Sequence, residues 1–571
     1  MNESAPILIL GAGINGTAVA RELALNNIPS CIVDEHDIAF GATSKSSRLI
    51  HGGLRYLEYA DFKLVRESLQ ERNRLAKNAP QFIRPLRLHI PVASRFDGFM
   101  NAFSRFVNLS RVPGFKPLTR WMESNPDRGL YVIRTGLKLY DTFAANDQFP
   151  AHEVHRVGSA EAPPVDPQQY KWVCSYYDGQ MWAVERFVLA MLEDTRQILA
   201  KQNHPFHVYS HHRVELKEGE ARVLDHHGNC VHHWRPPMII NATGAWGDAT
   251  LKSLNIPSDQ LFLGTKGSHF FTRNRHLKSA IGKDALYAEA SDGRPVFVLP
   301  VGDSIMVGTT DLPIEGSPEK ALATAKELDY LLELTKELFP HIELTPAEID
   351  FFYCGVRPLP YVPANSPSEI SRGHAIHHQQ VSLAGQGDVT LLTLIGGKLT
   401  TCRALAEDVA NTVGQELNIQ ITQNSRDRLY PGAEEYPYSP SSLQELQERW
   451  ATDFGLEIEE IKMLWELFGT RVRKVLETCL AEGETLTERI PDTLFPKAVV
   501  KWILQHEWVP HLEGLVNRRL MMLYDSPLKR ESLVALANVM VEAKLLPSEK
   551  VDGEVESLVQ TLSQMYGKQV F

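Results

Sequence analysis

Residues 7–16 read ILILGAGING, and this stretch decides the fold of the first part of the chain. The apolar run at 7–10 is too short for a helix and predicts a buried strand. Gly11 permits a sharp turn, Gly13 lets the backbone approach a pyrophosphate, and Gly16 lets the following helix lie close on the strand. The spacing therefore predicts a nucleotide-binding turn between a strand and a helix.

The next residues complete a strand–helix–strand unit. Ile14 and Asn15 open the helical pattern, whose N-terminus offers unpaired N–H groups and a positive dipole end to phosphates. A second apolar run at 31–33 ends in Asp34, 18 residues after Gly16. An acid near this position can accept a hydrogen bond from a ribose hydroxyl. Because strand, helix and acid agree, we favour a dinucleotide-binding βαβ unit over an ordinary glycine turn.

The composition is that of a globular protein with more than one domain. The chain has 571 residues, of which 43% are apolar and 23% charged, values ordinary for a soluble protein. Its formal net charge of −11 argues against a general nucleic-acid binder, which would show a basic footprint. An anionic substrate stays compatible with this charge, since a few local cations decide such binding.

Cysteine usage and hydropathy bear on the compartment. The six cysteines are scattered without a C-x-x-C pair, which favours a reducing environment. The N-terminus leads directly into the first strand, and no apolar run reaches ~18 residues, so we expect neither a signal peptide nor a transmembrane helix. We therefore expect a cytoplasmic protein.

Residues 204–233 hold eight of the 21 histidines, six of them in adjacent pairs. Imidazole is a common metal ligand. However, adjacent residues on a strand point to opposite faces, so a pair cannot easily chelate one ion. Turn sequences within the stretch favour a β meander, and we expect no metal site.

A hydroxyl- and glycine-rich loop follows the βαβ unit. Residues 41–58 read GATSKSSRLIHGGLRYLE, and such a loop suits wrapping a phosphate or a sugar. The candidate cofactor-binding residues in it are Thr43, Ser44, Ser46, Ser47, Gly52 and Gly53. His51, Arg55 and Tyr56 are expected next to the group on which the cofactor acts.

At residues 50–57 the sequence resembles the FAD-dependent glycerol-3-phosphate dehydrogenases, whose signature is a serine-rich loop running into H-G-G-L-R-Y. Residues 238–246, MIINATGAW, resemble a second cofactor segment of the D-amino-acid-oxidase-like flavoproteins, with candidates Ala242, Thr243, Gly244 and Trp246. Residues 391–401, LLTLIGGKLTT, resemble a third, with candidates Gly396, Gly397, Lys398, Leu399 and Thr400. A helix N-terminus at this third segment would stabilise negative charge on a reduced flavin.

The resemblance implies an α/β fold in which a Rossmann-type FAD-binding domain is interleaved with an antiparallel-sheet substrate domain within 1–430. An all-α C-terminal domain is expected at 431–571, where helical patterns replace the earlier character. The expected FAD-binding parts are about 1–90, 175–265 and 350–425, and the expected substrate parts about 91–174 and 266–349.

The resemblance also implies the reaction. FAD would take a hydride from C2 of sn-glycerol 3-phosphate, giving dihydroxyacetone phosphate, and the electrons would pass to quinone from a peripheral position on the inner face of the cell membrane. The implied phosphate clamp consists of Arg55, Arg357 and Lys398, and guanidinium groups match a phosphate face with paired donors. Tyr56 could add a hydroxyl donor.

The reaction needs a base for the hydroxyl proton. His51 is the first candidate and His269 the second, because a neutral imidazole next to cations keeps a pKa low enough to accept a proton. The alternative that the histidine only hydrogen-bonds the cofactor stays open.

Several alternatives remain. The basic and aromatic residues of 94–140 either bind an anionic membrane surface or are solvated charges over core aromatics. The family commonly has an aspartate pair where this chain reads Ala183-Val184-Glu185, which weakens a claim of identical substrate handling. Oxygen as acceptor, another hydroxy acid or amine as substrate, and a non-catalytic flavin-binding regulator are the rival functions. A homodimer and a monomer are both open.

Overall fold

The computed structural model describes residues 5–54, 62–93, 128–144, 148–290, 294–314, 316–361, 373–383, 385 and 387–571. The predicted site residues Arg55 and Tyr56 lie outside the described residues, as does most of the stretch 94–140.

The strands are β1 (Ile7–Leu10), β2 (Ser30–Asp34), β3 (Leu49–Ile50), β4 (Arg84–Ala93), β5 (Glu153–Arg156), β6 (Tyr170–Gln180), β7 (His207–Ser210), β8 (Arg213–Lys217), β9 (Glu220–Leu224), β10 (Cys230–Trp234), β11 (Met238–Asn241), β12 (Phe262–Thr272), β13 (Ala285–Glu289), β14 (Pro295–Val301), β15 (Ser304–Gly308), β16 (Leu312–Pro313), β17 (Ile349–Pro360), β18 (Ala375–Leu383) and β19 (Gly387–Ile395).

The α-helices are α1 (Ile14–Leu25), α2 (Phe62–Asn78), α3 (Arg128–Ala144), α4 (Val184–Lys201), α5 (Gly247–Ser253), α6 (Arg275–Ile281), α7 (Ala325–Leu338), α8 (Cys402–Leu417), α9 (Pro440–Phe454), α10 (Ile458–Phe468), α11 (Val472–Ala481), α12 (Lys497–His506), α13 (Leu512–Gly514), α14 (Arg530–Glu542) and α15 (Val551–Tyr566).

The first sheet has the strand order β18-β19-β11-β1-β2-β7. All its pairings are parallel except that of β18, an antiparallel edge strand. The four residues of β1 are buried, since helices such as α1 cover the faces of a parallel sheet. β1, α1 and β2 form the predicted strand–helix–strand unit, which confirms the Rossmann-type part of the fold.

The second sheet has the order β16-β12-β15-β14-β13-β4-β6-β3, with β17 paired to β12 and β5 to β6. Its pairings are antiparallel apart from β13 with β4, which confirms the largely antiparallel second part of the predicted fold. β4 and β17 belong to this sheet, although the expected ranges place 84–90 and 350–360 in FAD-binding parts. The domain ranges themselves stay a prediction.

A three-stranded antiparallel meander, β8-β9-β10, connects the edge strand β7 to the central strand β11. It carries His232 and His233, and His233 pairs across the ladder with Arg222. Within the described residues no group of three or more potential metal ligands converges.

The C-terminal helices α9 to α15 pack onto the second sheet. One continuous hydrophobic cluster contains Leu88 and Phe351 of the sheet together with Trp465, Leu512 and Leu536 of the helices. Apolar surface of the sheet and of the helices is buried in this cluster, and this burial holds the all-α part against the sheet. The arrangement agrees with the predicted architecture. No helix of the described part is long and apolar enough for a bilayer crossing.

Candidate active site

One cleft of about 680 Å³ brings the three predicted cofactor segments together. Gly13, Gly244 and Gly397 all line it, although they lie on segments that are more than a hundred residues apart in sequence. The other predicted cofactor-binding residues on its wall are Gly11, Ile14, Asn15, Asp34, Thr43, Ser46, Ser47, Gly53, Ala242, Thr243, Trp246, Gly396, Lys398, Leu399 and Thr400. The predicted catalytic residues His51, His269, Arg357 and Lys398 also line it.

The turn at the start of α1 requires glycine at two positions. Gly11 has a φ of +102°, and a Cβ there would lie 2.7 Å from the carbonyl oxygen of Ala242. A Cβ at Gly16 would lie 2.0 Å from the carbonyl oxygen of Gly11. The backbone segments therefore approach as closely as the sequence pattern predicts, and Gly16 serves this packing without lining the cleft.

Asp34 holds the same turn from the end of β2. Its carboxylate accepts hydrogen bonds from the backbone N–H groups of Ala12, at 2.7 Å, and His36, at 2.8 Å. Burial raises the pKa of Asp34 to about 6. Asp34 thus fixes the glycine turn, and its carboxylate oxygens keep lone pairs for a ribose hydroxyl as well.

Two buried polar atoms on the cleft wall fit a hydrogen-bonding cofactor. The indole N–H of Trp246 and the Oδ1 atom of Asn15 have no hydrogen-bond partner among the described residues. Asn15 also donates through Nδ2 to the carbonyl of Gly396, at 3.4 Å, and so links the first segment to the third. Because buried polar groups are normally paired, these atoms suit a bound dinucleotide with donors and acceptors of its own.

The hydroxyl loop divides its side chains between the cleft and its own backbone. Thr43 Oγ1 accepts the N–H of Ile14 at 3.1 Å, so it supports the first turn of α1. Ser44 donates to the carbonyl of Phe40 at 3.1 Å and does not line the cleft. Ser46 donates to the carbonyl of Thr43. The composition of the loop predicts that polar side chains surround a ligand, while the backbone conformation decides which hydroxyls face the cleft.

Ser47 connects the loop to the second sheet. Its hydroxyl lies 2.9 Å from Nε2 of His269, on β12. His269 is 2% exposed, and its Nδ1 has no partner among the described residues. Burial, together with the charges of Arg357 and Arg48, lowers the pKa of His269 to about 3. This imidazole is therefore neutral at physiological pH, and it is a weak base.

His51 lines the cleft where the loop meets the third segment. Its carbonyl oxygen accepts the hydroxyl of Thr400 at 3.3 Å, which joins the two segments directly. Gly52, one residue on, does not line the cleft: its N–H donates to the buried Asp178, and a Cβ there would collide with Leu69.

Arg357 and Lys398 bring two cations to the same cleft. Arg357 lies on β17, and its guanidinium donates to Asp311 Oδ1 at 3.0 Å and to Thr309 Oγ1 at 2.9 Å. These bonds fix the plane of the guanidinium and hold it beside Gly267, where a Cβ would lie 2.4 Å from Nη2. Arg55, the third member of the predicted clamp, lies outside the described residues.

Other cleft residues carried no signal in the sequence. The wall of the cleft also contains residues of the second sheet: Asp178 on β6, Tyr287 on β13, Phe297 on β14 and Arg294 just before β14. They come from an antiparallel sheet whose pairing no short motif encodes. An isolated acid or arginine within a strand pattern gives no indication of the face to which it points.

The family described as "FAD dependent oxidoreductase" matches residues 6–411, and the family described as "C-terminal domain of alpha-glycerophosphate oxidase" matches residues 424–550. A glycerol-3-phosphate dehydrogenase of Synechocystis sp. is 30% identical over 556 residues, covering 91% of this chain and 89% of the relative. A D-erythritol 1-phosphate dehydrogenase of Brucella abortus is 26% identical over 544 residues, covering 90% and 94%.

A solved structure has the same fold. The glycerol-3-phosphate dehydrogenase from Bacillus halodurans, complexed with FAD, superposes with a TM-score of 0.69 at 19% identity, covering 98% of this chain and 95% of that one. The predicted fold and the predicted FAD dependence are both confirmed by these comparisons.

Proposed function

The chain belongs to the family of FAD-dependent glycerol-3-phosphate dehydrogenases, and we propose that it oxidises sn-glycerol 3-phosphate to dihydroxyacetone phosphate and passes the electrons to quinone. The observation that carries this proposal is the position of Arg357 and Lys398 on the same cleft as the three glycine-rich segments. A concave site with a dinucleotide turn and convergent cations suits a flavin with an anionic substrate beside it.

The cofactor would be held by the segments that meet in the cleft. Gly13 and the N-terminus of α1 would face the pyrophosphate, and Asp34 would accept a ribose hydroxyl. Ala242 to Trp246 would border the adenine half, and Gly397 with Lys398 the ring. When bound, FAD supplies the hydride acceptor.

We propose that Arg357 and Lys398 bind the substrate phosphate. Arg357 is held in one orientation by Asp311 and Thr309, so little freedom is lost when it binds an anion. A buried phosphate without such partners would be strongly unfavourable. By the resemblance, Arg55 joins this clamp and Tyr56 adds a hydroxyl donor.

We propose that a ring nitrogen of His51 takes the proton of the substrate hydroxyl. Support comes from its place on the cleft wall and from its link to the third segment through Thr400. His269 is the second candidate, and its lowered pKa of about 3 makes it the weaker base. A hydrogen-bonding role toward the substrate or cofactor suits His269 better.

We propose quinone as the electron acceptor and a peripheral position on the inner face of the membrane. These proposals rest on the family resemblance and on the basic and aromatic residues of 94–140. Flotation of the purified protein with anionic vesicles tests the location. Peroxide formation during turnover, with no acceptor other than oxygen, would instead support an oxidase.

The deciding experiment is anaerobic addition of glycerol 3-phosphate to the FAD-loaded protein while the flavin absorbance is recorded. We expect rapid bleaching, followed by reoxidation when a soluble quinone is added. Glycerol is the matched control, because it keeps both hydroxyls of the substrate and carries a third in place of the phosphate. Erythritol phosphate tests the activity named for the Brucella relative. Bleaching by erythritol phosphate but not by glycerol 3-phosphate would contradict the proposal.

A further inference from the structure

Asp178 occupies a buried position on β6, directly beneath the loop that carries His51. It is 1% exposed. Its Oδ1 atom accepts three hydrogen bonds, from the N–H of Gly52 at 3.1 Å, from Nη1 of Arg72 at 2.9 Å and from the hydroxyl of Tyr140 at 2.6 Å. These three bonds orient the carboxylate, and none of them goes to its second oxygen.

The second oxygen, Oδ2, is also buried, and no described residue donates a hydrogen bond to it. Asp178 lines the cleft together with His51, Leu54 and Tyr176. An ionised carboxylate has about four lone-pair sites, and buried acceptors are normally paired. An open acceptor on the wall of a binding cleft therefore indicates a donor on the ligand.

The surroundings of Asp178 restrict which donor can bind. Arg72, which is 0% exposed, forms an ion pair with Asp178 at 2.9 Å, so the pair is neutral as a whole. A cationic donor gains little from a carboxylate that is already neutralised, and a phosphate dianion has no hydrogen to donate to it. A neutral hydroxyl donates to such an oxygen without bringing a buried charge.

We propose that Oδ2 of Asp178 accepts a hydrogen bond from a substrate hydroxyl other than the one that is oxidised. The inference rests on the proposed function and deepens it, because it makes Asp178 a specificity residue for polyol phosphates. The substrate would then be recognised at both ends: Arg357 and Lys398 would bind its phosphate, and Asp178 would accept a hydrogen bond from its free hydroxyl. A site built for a hydroxyl rejects the analogue that lacks it, since the buried acceptor is left unpaired.

The test compares glycerol 3-phosphate with propane-1,2-diol 1-phosphate, in which a methyl group replaces the terminal hydroxymethyl group. We expect the wild-type enzyme to prefer glycerol 3-phosphate in kcat/KM by roughly 10- to 100-fold. Asp178→Asn should narrow that preference severalfold, because it weakens the reaction of glycerol 3-phosphate selectively. Tyr140→Phe is the matched control. It removes one bond to Oδ1 and one acceptor of the Gly52 N–H, but it leaves Oδ2 intact and should keep the preference.

The outcomes separate the possible roles of Asp178. If Asp178→Asn lowers kcat/KM equally for both substrates, the residue only positions the Gly52 loop, and the proposal is overturned. An equal loss with a shifted flavin spectrum would assign Oδ2 to the cofactor and overturn it as well. A wild-type enzyme that uses both substrates equally overturns it without any variant. A wild-type enzyme that neither substrate reduces would instead refute the proposed function, and this inference with it.

Discussion

Replacing Glu185 with alanine tests how the hydroxyl loop is anchored. Arg48 and Glu185 form a bidentate ion pair, with Nη2–Oε1 at 2.7 Å and Nη1–Oε2 at 3.0 Å, and their side chains are 0% and 2% exposed. Without Glu185, the guanidinium stays buried beside the carbonyl of Ser44, at 2.9 Å, the carbonyl of Trp182 and the hydroxyl of Tyr524. Its charge is then uncompensated.

The size of the effect follows from this burial. Removing one partner of a buried pair costs about 3–5 kcal/mol. Neutral acceptors remain on Arg48, so we expect a loss of about 3 kcal/mol in the free energy of unfolding. With a urea dependence of about 3 kcal/mol per molar, the unfolding midpoint falls by about 1 M.

Urea unfolding of the FAD-loaded protein, followed by tryptophan fluorescence, measures this shift. Glu477→Ala is the matched control, because Arg473 and Glu477 form a pair of similar length, 2.8 Å, with side chains 54% and 53% exposed. We expect no measurable shift for the control, since solvent screens exposed pairs. Equal midpoints for the two variants would refute the reasoning that burial decides the contribution of the pair.

Three further predictions concern the cleft. Arg357→Ala should raise KM for glycerol 3-phosphate at least 10-fold while FAD stays bound, measured by steady-state kinetics and flavin content; an unchanged KM would remove Arg357 from the clamp. His51→Ala should slow flavin reduction in stopped flow more than it weakens substrate binding, and equal reduction rates would contradict its role as base. The folded-state pKa of His269, about 3, lies below the usual unfolded value near 6.5, so the unfolded chain binds more protons between these values. The contribution of His269 to the free energy of unfolding is therefore fully present above pH 6.5 and is lost as the pH falls towards 3. Urea unfolding midpoints measured from pH 7 to pH 4 should depend less on pH in His269→Gln than in the wild type.

Local chemistry explains what the sequence predicts well. The turn of Gly11, Gly13 and Gly16 lies between two elements that are adjacent in the chain. The φ of +102° at Gly11 and the close approach of Gly16 to the Gly11 carbonyl are local requirements for glycine. The strand at 391–395 and its following glycines are equally local. Because these requirements lie within a few residues of sequence, a short motif identifies such segments.

The remaining site residues depend on contacts that are distant in sequence. Ser47 meets His269 across 222 positions, and Gly52 meets Asp178 across 126. Strand pairing in the second sheet creates these contacts, and neither partner carries a local pattern. Ser44 differs from Ser47 for a local reason: its hydroxyl donates to the carbonyl of Phe40 within the loop, and only the backbone conformation of the loop determines this.

Ala183, Val184 and Glu185, where the family resemblance implies an aspartate pair, do not line the cleft. Ala183 and Val184 are fully buried in the hydrophobic core at the start of α4, and Glu185 directs both carboxylate oxygens to Arg48. Arg48 directly follows Ser47, which contacts His269. Glu185 therefore holds the hydroxyl loop through Arg48, while Arg357 of the cleft is held separately by Asp311 and Thr309. In steady-state kinetics with glycerol 3-phosphate, Glu185→Ala should lower kcat more than it raises KM, because a mobile Ser47 would disturb His269 while the proposed phosphate ligands Arg357 and Lys398 are unchanged.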